Sequence, residues 1–302
     1  MAHVVLAIVA LVLLTVAGAC LWQEARYLRI RREIVQDRQP ILHGDVFHVL
    51  TLLELAPGAE LFESVRRLRD AVEAGGGGRF VYAGKVALDA LSSAQLTSRF
   101  GEEVRWSVVA LVQYASRADW ERAAASAPVR EALGAFARSH STGMERSAAQ
   151  NLALPLVLLW VRARQIAMRA PSHFPFERAP DLPEIVERLA IPRLAAEREL
   201  GRRAAVVVNL NREGTAEDQA ADRGYVSEMF GLMAEGVHGP MHVGRAVRLE
   251  GEAEFDRVAL VYYPGVDYFA DMAQSRFYRG IVGGKQLGDA QASITVPILD
   301  RL

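Results

Sequence analysis

The chain is poor in the residues that usually announce a chemistry. It has one cysteine, Cys20, so no internal disulfide can form and thiols say nothing about its redox compartment. Lysine occurs only at Lys85 and Lys285, and the other basic residues are arginine. The net charge is −1, which gives no support for a nucleic-acid partner. Neither disorder nor a fibrous repeat fits, because 51% of the residues are hydrophobic and only 24% charged. The 302 residues are enough for two ordinary domains.

One stretch lacks charge altogether. Residues 4–22 form an apolar run close to the ~20 residues a helix needs to cross a bilayer. Only Met1-Ala2-His3 precedes it, whereas Arg26, Arg29, Arg31, Arg32 and Arg38 follow. Basic residues on the C-terminal side predict a single-pass anchor in the inner membrane with the body in the cytoplasm. Ala17-Gly18-Ala19-Cys20 leaves an exported or lipoprotein alternative open. Helical spacing continues through Leu28, Ile30, Ile34 and Val35 until Pro40 ends it.

The body repeats itself. Val109-Ala110-Leu111-Val112-Gln113-Tyr114 returns as Val258-Ala259-Leu260-Val261-Tyr262-Tyr263. Around the first copy, residues 48–55, 79–88, 104–115 and 154–161 read as strands, and 59–74 and 117–138 as helices. A polar stretch spans 92–103. Around the second copy, residues 204–211, 241–249, 257–263 and 292–299 read as strands, and 217–235 and 266–281 as helices. Gly84-Lys85 answers Gly244-Arg245, and Ser126 and Arg130 answer Ser275 and Arg279. Both halves have the order β-α-β-β-α-β of a ferredoxin-like unit. The expected fold is therefore α+β: two tandem ferredoxin-like βαββαβ repeats covering each other as an intramolecular dimeric α/β-barrel, after one transmembrane helix. The expected units are 1–39 (anchor), 40–162 (first repeat), 163–203 (connector) and 204–302 (second repeat). Alternation puts Val206, Val208, Leu210, Ile294, Val296 and Ile298 in one helix-facing set. It puts Val207, Asn209, Asn211, Ser293 and Thr295 in a set facing the other repeat.

The connector carries Pro171, Pro175, Pro180, Pro183 and Pro192, so no long helix crosses it. Residues 182–200 read as one or two short helices. Ile166, Met168, Phe174 and Phe176 lie among Arg162, Arg164, Arg169 and Arg178, a mix suited either to a strap over the domain or to a membrane surface.

His238-Gly239, Gly244, Leu249-Glu250-Gly251, the strand ending in Tyr263-Pro264 and Ser275 to Tyr278 together resemble the domain of unknown function 1330 family. That family lies in the dimeric α/β-barrel superfamily, and the resemblance covers roughly residues 204–300. It implies sheet-to-sheet pairing. It implies no single activity, because the superfamily includes monooxygenases, isomerases, haem enzymes and proteins with no known activity. The family usually has an acid before the aromatic at the end of the third strand. Here Gln113 and Tyr262 occupy that place, which weakens the case for catalysis.

No motif calls for a metal or a cofactor. His238 and His242 have H-x-x-x-H spacing, but in a strand four residues span about 13 Å, too far to share an ion. Gly283-Gly284-Lys285 follows a helix and lacks the phosphate-loop pattern. Ser126 and Ser275 have no base in sequence context. Tyr225, His242, Arg245, Tyr263 and Arg279 form the candidate ligand set, as residues able to orient an oxygenated small molecule. The expected function is a membrane-anchored ligand-binding or interaction module. The alternative is a cofactor-free monooxygenase or isomerase acting on a small hydrophobic or oxygenated ligand. The first copy has Gly78 and Tyr82 where the second has His238 and His242, so any site should lie in the second half.

Overall fold

A computed structural model describes residues 2–34, 46–75, 77–92, 100, 104–146, 148–181, 204–236, 238–250, 253–285 and 287–302. The expected short helices at 182–200, the end of the basic helix beyond residue 34 and most of the polar stretch 92–103 lie outside them.

Eight strands close into one barrel: β1 (Phe47–Leu55), β2 (Arg79–Ser92), β3 (Val108–Tyr114), β4 (Phe136–Glu145), β5 (Ala205–Arg212), β6 (Gly239–Arg248), β7 (Arg257–Tyr263) and β8 (Asp289–Pro297). Around the barrel they run β1-β3-β2-β8-β5-β7-β6-β4, with every pair antiparallel. Strands β1–β4 are thus ordered β4-β1-β3-β2, and β5–β8 are ordered β8-β5-β7-β6. Two seams join these sets edge to edge, β2 with β8 and β4 with β6. Closure leaves no unpaired sheet edge.

Helices lie outside the barrel. Among the described residues they are α1 (Ala2–Ile34), α2 (Leu61–Gly75), α3 (Arg117–Ala125), α4 (Ala127–Leu133), α5 (Ala148–Ala167), α6 (Ala216–Glu235), α7 (Val266–Ala273) and α8 (Arg276–Ile281). Their starts follow local chemistry. Ser116 caps α3 by accepting from the Asp119 amide, and Thr215 and Asp218 form a capping box on α6. Pro128 suits the first turn of α4, where its missing amide costs nothing. In α1, the span His3–Trp22 is long and apolar enough to cross a membrane or to be a signal sequence.

Two sequence expectations are corrected. Residues 154–161 are not a strand; they lie within α5. A run that is apolar on every face has no periodicity, so pattern alone cannot separate helix from strand there. The fourth strand is β4, in place of the end of the long helix expected over 117–138. Its buried stretch is His140, Ser141, Thr142, Gly143 and Met144, mostly polar, so hydropathy hides it.

The strand faces are also corrected. Directly opposed residues share a face, and Val206 opposes Thr295 while Val208 opposes Ser293. Val206, Val208 and Leu210 therefore point into the barrel with Leu50, Leu111, Leu260 and Tyr262. Ile294 points outward with Val207 to the helices. A closed barrel of this size fills its centre with side chains, so the aliphatic face of β5 turns inward. Ser293 and Thr295 do face inward, opposite β2, where polar partners wait. The hydroxyls of Tyr82 and Thr295 are 2.6 Å apart. Ser293 donates to Asp89 at 2.6 Å.

Candidate functional site

The second half holds an aromatic, hydroxyl-rich cluster between its strands and helices. It begins at the end of β7, where alternation sends Tyr262 into the barrel and Tyr263 out to the helices. His238, just before β6, stacks on Tyr263 with ring centroids 5.2 Å apart and planes 12° from parallel. The Tyr268 hydroxyl on α7 lies 2.9 Å from His238 Nδ1. Phe269 meets Tyr263 edge-on at 5.1 Å. The segment after α5 lays Phe174 and Phe176 over Tyr268, at 6.0 and 5.4 Å. Tyr225 of α6 and Tyr278 of α8 share a side-chain hydrogen bond beside Tyr263. Ser275 holds Tyr278 in place, accepting from its amide at 3.1 Å while donating to the Met272 carbonyl.

Burial pushes the Tyr225 and Tyr263 hydroxyls well above their ordinary range and raises that of Tyr278. All three are protonated donors at any physiological pH. At the rim, burial raises the Asp222 carboxyl against the pull of Arg257 and Lys285. Burial likewise lowers Lys285, opposed by Asp222. The arrangement gathers neutral hydroxyl donors and an imidazole, groups able to hydrogen-bond an oxygenated molecule. An acid and an amine displaced in opposite directions, Asp222 and Lys285, interact at its edge.

Of the five residues expected from sequence, the structure brings Tyr225 and Tyr263 together here. The other three lie apart. His242 projects inside the barrel, where the Arg146 guanidinium is 3.0 Å from its Nδ1. Arginine can only donate, so Nδ1 accepts and the ring proton sits on Nε2. The His48 ring is 5.6 Å away. Arg245 is exposed and pairs with Glu145 across the β4–β6 seam. Arg279 pairs with Asp181 beside an open depression of about 450 Å³ lined by Pro180, Arg276, Arg279 and Gly280. His238 and His242 fall on opposite sides of the sheet, which rules out a shared ion.

His238, Tyr268, Tyr278, Asp222 and Lys285 were not in the expected set. Two had a visible signal. His238 is replaced by Gly78 in the first copy, and Tyr278 ends the stretch quoted for the family resemblance.

The opposite end of the barrel carries a second polar group. His140 is buried beside Phe100 and Phe255, with ring centroids 5.0 and 6.2 Å away. Burial holds its pKa down at about 4. The folded state therefore favours the neutral ring. That contribution is whole above the unfolded value of about 6.5 and is lost as pH falls towards 4. Asp89 and Glu250, both raised by burial, act in the opposite sense. Single variants separate the two. His140→Gln is expected to gain on the parent by up to about 3 kcal/mol between pH 7 and pH 4 in parallel denaturant titrations. A difference independent of pH would refute the neutral buried ring.

No protein-family model matches the chain, and no curated protein matches its sequence. The resemblance to the domain of unknown function 1330 family thus rests on the quoted residues alone. Solved structures offer distant likenesses. An anthrone oxidase-like protein shares 9% identity over 85% of this chain and 92% of its own, with a TM-score of 0.43. A mutant chlorite dismutase from Candidatus Nitrospira defluvii shares 11% over 87% and 97%, with a TM-score of 0.42. A protein of unknown function from Rhodopseudomonas palustris shares 19% over 35% and 85%, with a TM-score of 0.26. Nothing about activity follows from scores this low. The eight-stranded α+β barrel stands on the strand pairing itself.

Proposed function

We propose that this chain is a membrane-anchored small-molecule-binding protein whose site is the tyrosine–histidine cluster of its second half. In this reading residues 4–22 form the anchor, and residues 40–162 and 204–302 are tandem ferredoxin-like units closing one barrel. The arginines after the anchor keep the body in the cytoplasm.

The carrying observation is the asymmetry between the halves. Ser126 and Ser275 both occupy the helix start after a break, and three residues on stand Val129 and Tyr278. Tyr114 and Tyr263 both end the repeated strand. Tyr263 stacks on His238, while the ring of Tyr114 covers Gly78. Where the second half has the His238 imidazole and the Tyr278 hydroxyl, the first half has Gly78 and Val129. Packing alone does not ask for that difference, because the first half packs without it.

The cofactor-free monooxygenase or isomerase reading is favoured by one observation. Asp222 and Lys285 have pKa values displaced in opposite directions at the rim of the cluster, as in many acid–base sites.

The test is a thermal-stability screen of the full chain in detergent against small aromatic and quinone-like compounds. A ligand at a hundred times its Kd adds about 2.7 kcal/mol, a rise of roughly 5 °C or more. Tyr263→Phe combined with Tyr278→Phe should abolish most of that rise. The absence of a shift with every compound would reject ligand binding. Conversion of a stabilising compound, lost on Asp222→Asn, would favour the enzyme reading.

A further inference from the structure

We propose that α5 is an interfacial helix whose outer face sits in the headgroup layer of an anionic bilayer, beside the anchor. The inference rests on the reading of α1 as a membrane anchor.

Outside α1, the large apolar side chains left exposed among the described residues are Val157 at 39%, Trp160 at 70%, Ile166 at 65% and Met168 at 65%. All lie on α5 or directly after it. Random scatter would spread them over the body. Val157 and Trp160 share a stripe with exposed Ala153 and Arg164, at helical spacings of four, three and four. The opposite side of α5 is already occupied, for Leu158 is buried and Leu154 and Val161 pack into the helix-side core. This helix therefore has two apolar faces, one covered by protein and one by nothing among the described residues.

The neighbour of α5 indicates what covers it. α1 and α5 pack together. Along α1, Val4 to Leu14 is exposed, while Ala19 is buried and Val16, Cys20 and Trp22 are partly buried. The body thus meets α1 at the C-terminal end of its apolar span, where a spanning helix leaves the hydrocarbon. That contact sets α5 at headgroup depth. Tryptophan favours that layer. The charges agree as well: α5 contains no acidic residue, and Arg164 and Arg169 are exposed at its C-terminal end.

The test uses the full chain carrying Cys20→Ser, reconstituted in phosphatidylcholine vesicles containing phosphatidylglycerol. Nitroxide labels are placed singly at Trp160→Cys, at Leu11→Cys in the anchor and at Glu121→Cys on the exposed side of α3. Each is probed by collision with oxygen, which enters lipid, and with a nickel chelate, which stays in water. The label at 160 is expected to favour oxygen, as at 11, while that at 121 favours nickel. If 11 is in lipid and 160 is in water, the interfacial helix is wrong and the anchor stands. If both are in water, the anchor reading itself fails. If 160 is shielded from both reagents, a second protein copy covers the face, and the proposal is overturned. Omitting phosphatidylglycerol should lower the oxygen preference at 160 by about twofold, and an unchanged value would overturn the assignment to anionic lipid.

Discussion

Gly244→Ala is expected to destabilise the folded chain by about 2–3 kcal/mol, read as a lower denaturant midpoint with an unchanged slope. Gly244 lies on the inner face of β6, against β4. A Cβ there would come within 2.5 Å of the Glu145 carbonyl oxygen and collide with the Met144 side chain. Met144 can turn, but the carbonyl belongs to the backbone of the seam and cannot. The strands must part, and this seam has little to spare. β4 and β6 pair over four positions, from Thr142–Arg248 to Glu145–Arg245. The β2–β8 seam is longer, reaching from Gly84–Pro297 to Ser92–Gln291. Gly84→Ala is the internal control. Its Cβ would meet the end of the buried Tyr82 ring and Thr295 Oγ1, the latter at 2.8 Å, which are side chains and not backbone, so a smaller loss is expected. A Gly244→Ala protein as stable as the parent would show that β6 does not depend on this close approach.

Gly84 and Gly244 are also the pair that the sequence alignment of the two copies matched. The structure gives the match a physical reason, since each stands where one set of strands meets the other. The neighbouring matched pair behaves alike. Tyr82 bonds to Thr295 across the β2–β8 seam, and His242 bonds to Arg146, which follows β4 across the other seam. His242 and Arg245 thus both make contacts across the β4–β6 seam, to Arg146 and Glu145. Polar residues on a strand give the same sequence signal whether they join strands or face a ligand.

What was legible was pattern, and what was not was context. The repeated strand and the second-half strands and helices could be read because hydrophobic spacing records them directly. β4 could not, since its buried residues are His140, Ser141 and Thr142, stabilised by partners far along the chain such as Glu250. The inward face of β5 could not either. Its alternation shows two faces, and only the register with β8 shows which one the barrel encloses. Tyr225 and Tyr263 were found as residue types. Their meeting with Tyr278 and His238 needs the packing of three helices and a loop, which no local window contains.

His238→Ala should cost about 3 kcal/mol, the scale of deleting a buried ring into an unrelaxed cavity. The ring is fully buried, stacked on Tyr263, and its Nδ1 is tied to Tyr268. Neighbours are poorly placed to fill the void. The rings of Phe174 and Tyr268 are held by their own mutual contacts, and Phe269 is fixed on α7. Tyr268→Phe removes only the hydrogen bond and should cost about 1 kcal/mol. The comparison separates packing from polarity. If His238 were only a filler, His238→Phe would restore stability and keep any ligand-induced rise in melting temperature. If the imidazole recognises a ligand, His238→Phe restores stability while the rise is lost. The first half packs differently at this place, with Tyr114 and Val72 closing over Gly78. A stable His238→Phe protein that still responds fully to ligand would therefore move the site away from this ring, towards Tyr225, Tyr278 and the Asp222–Lys285 rim.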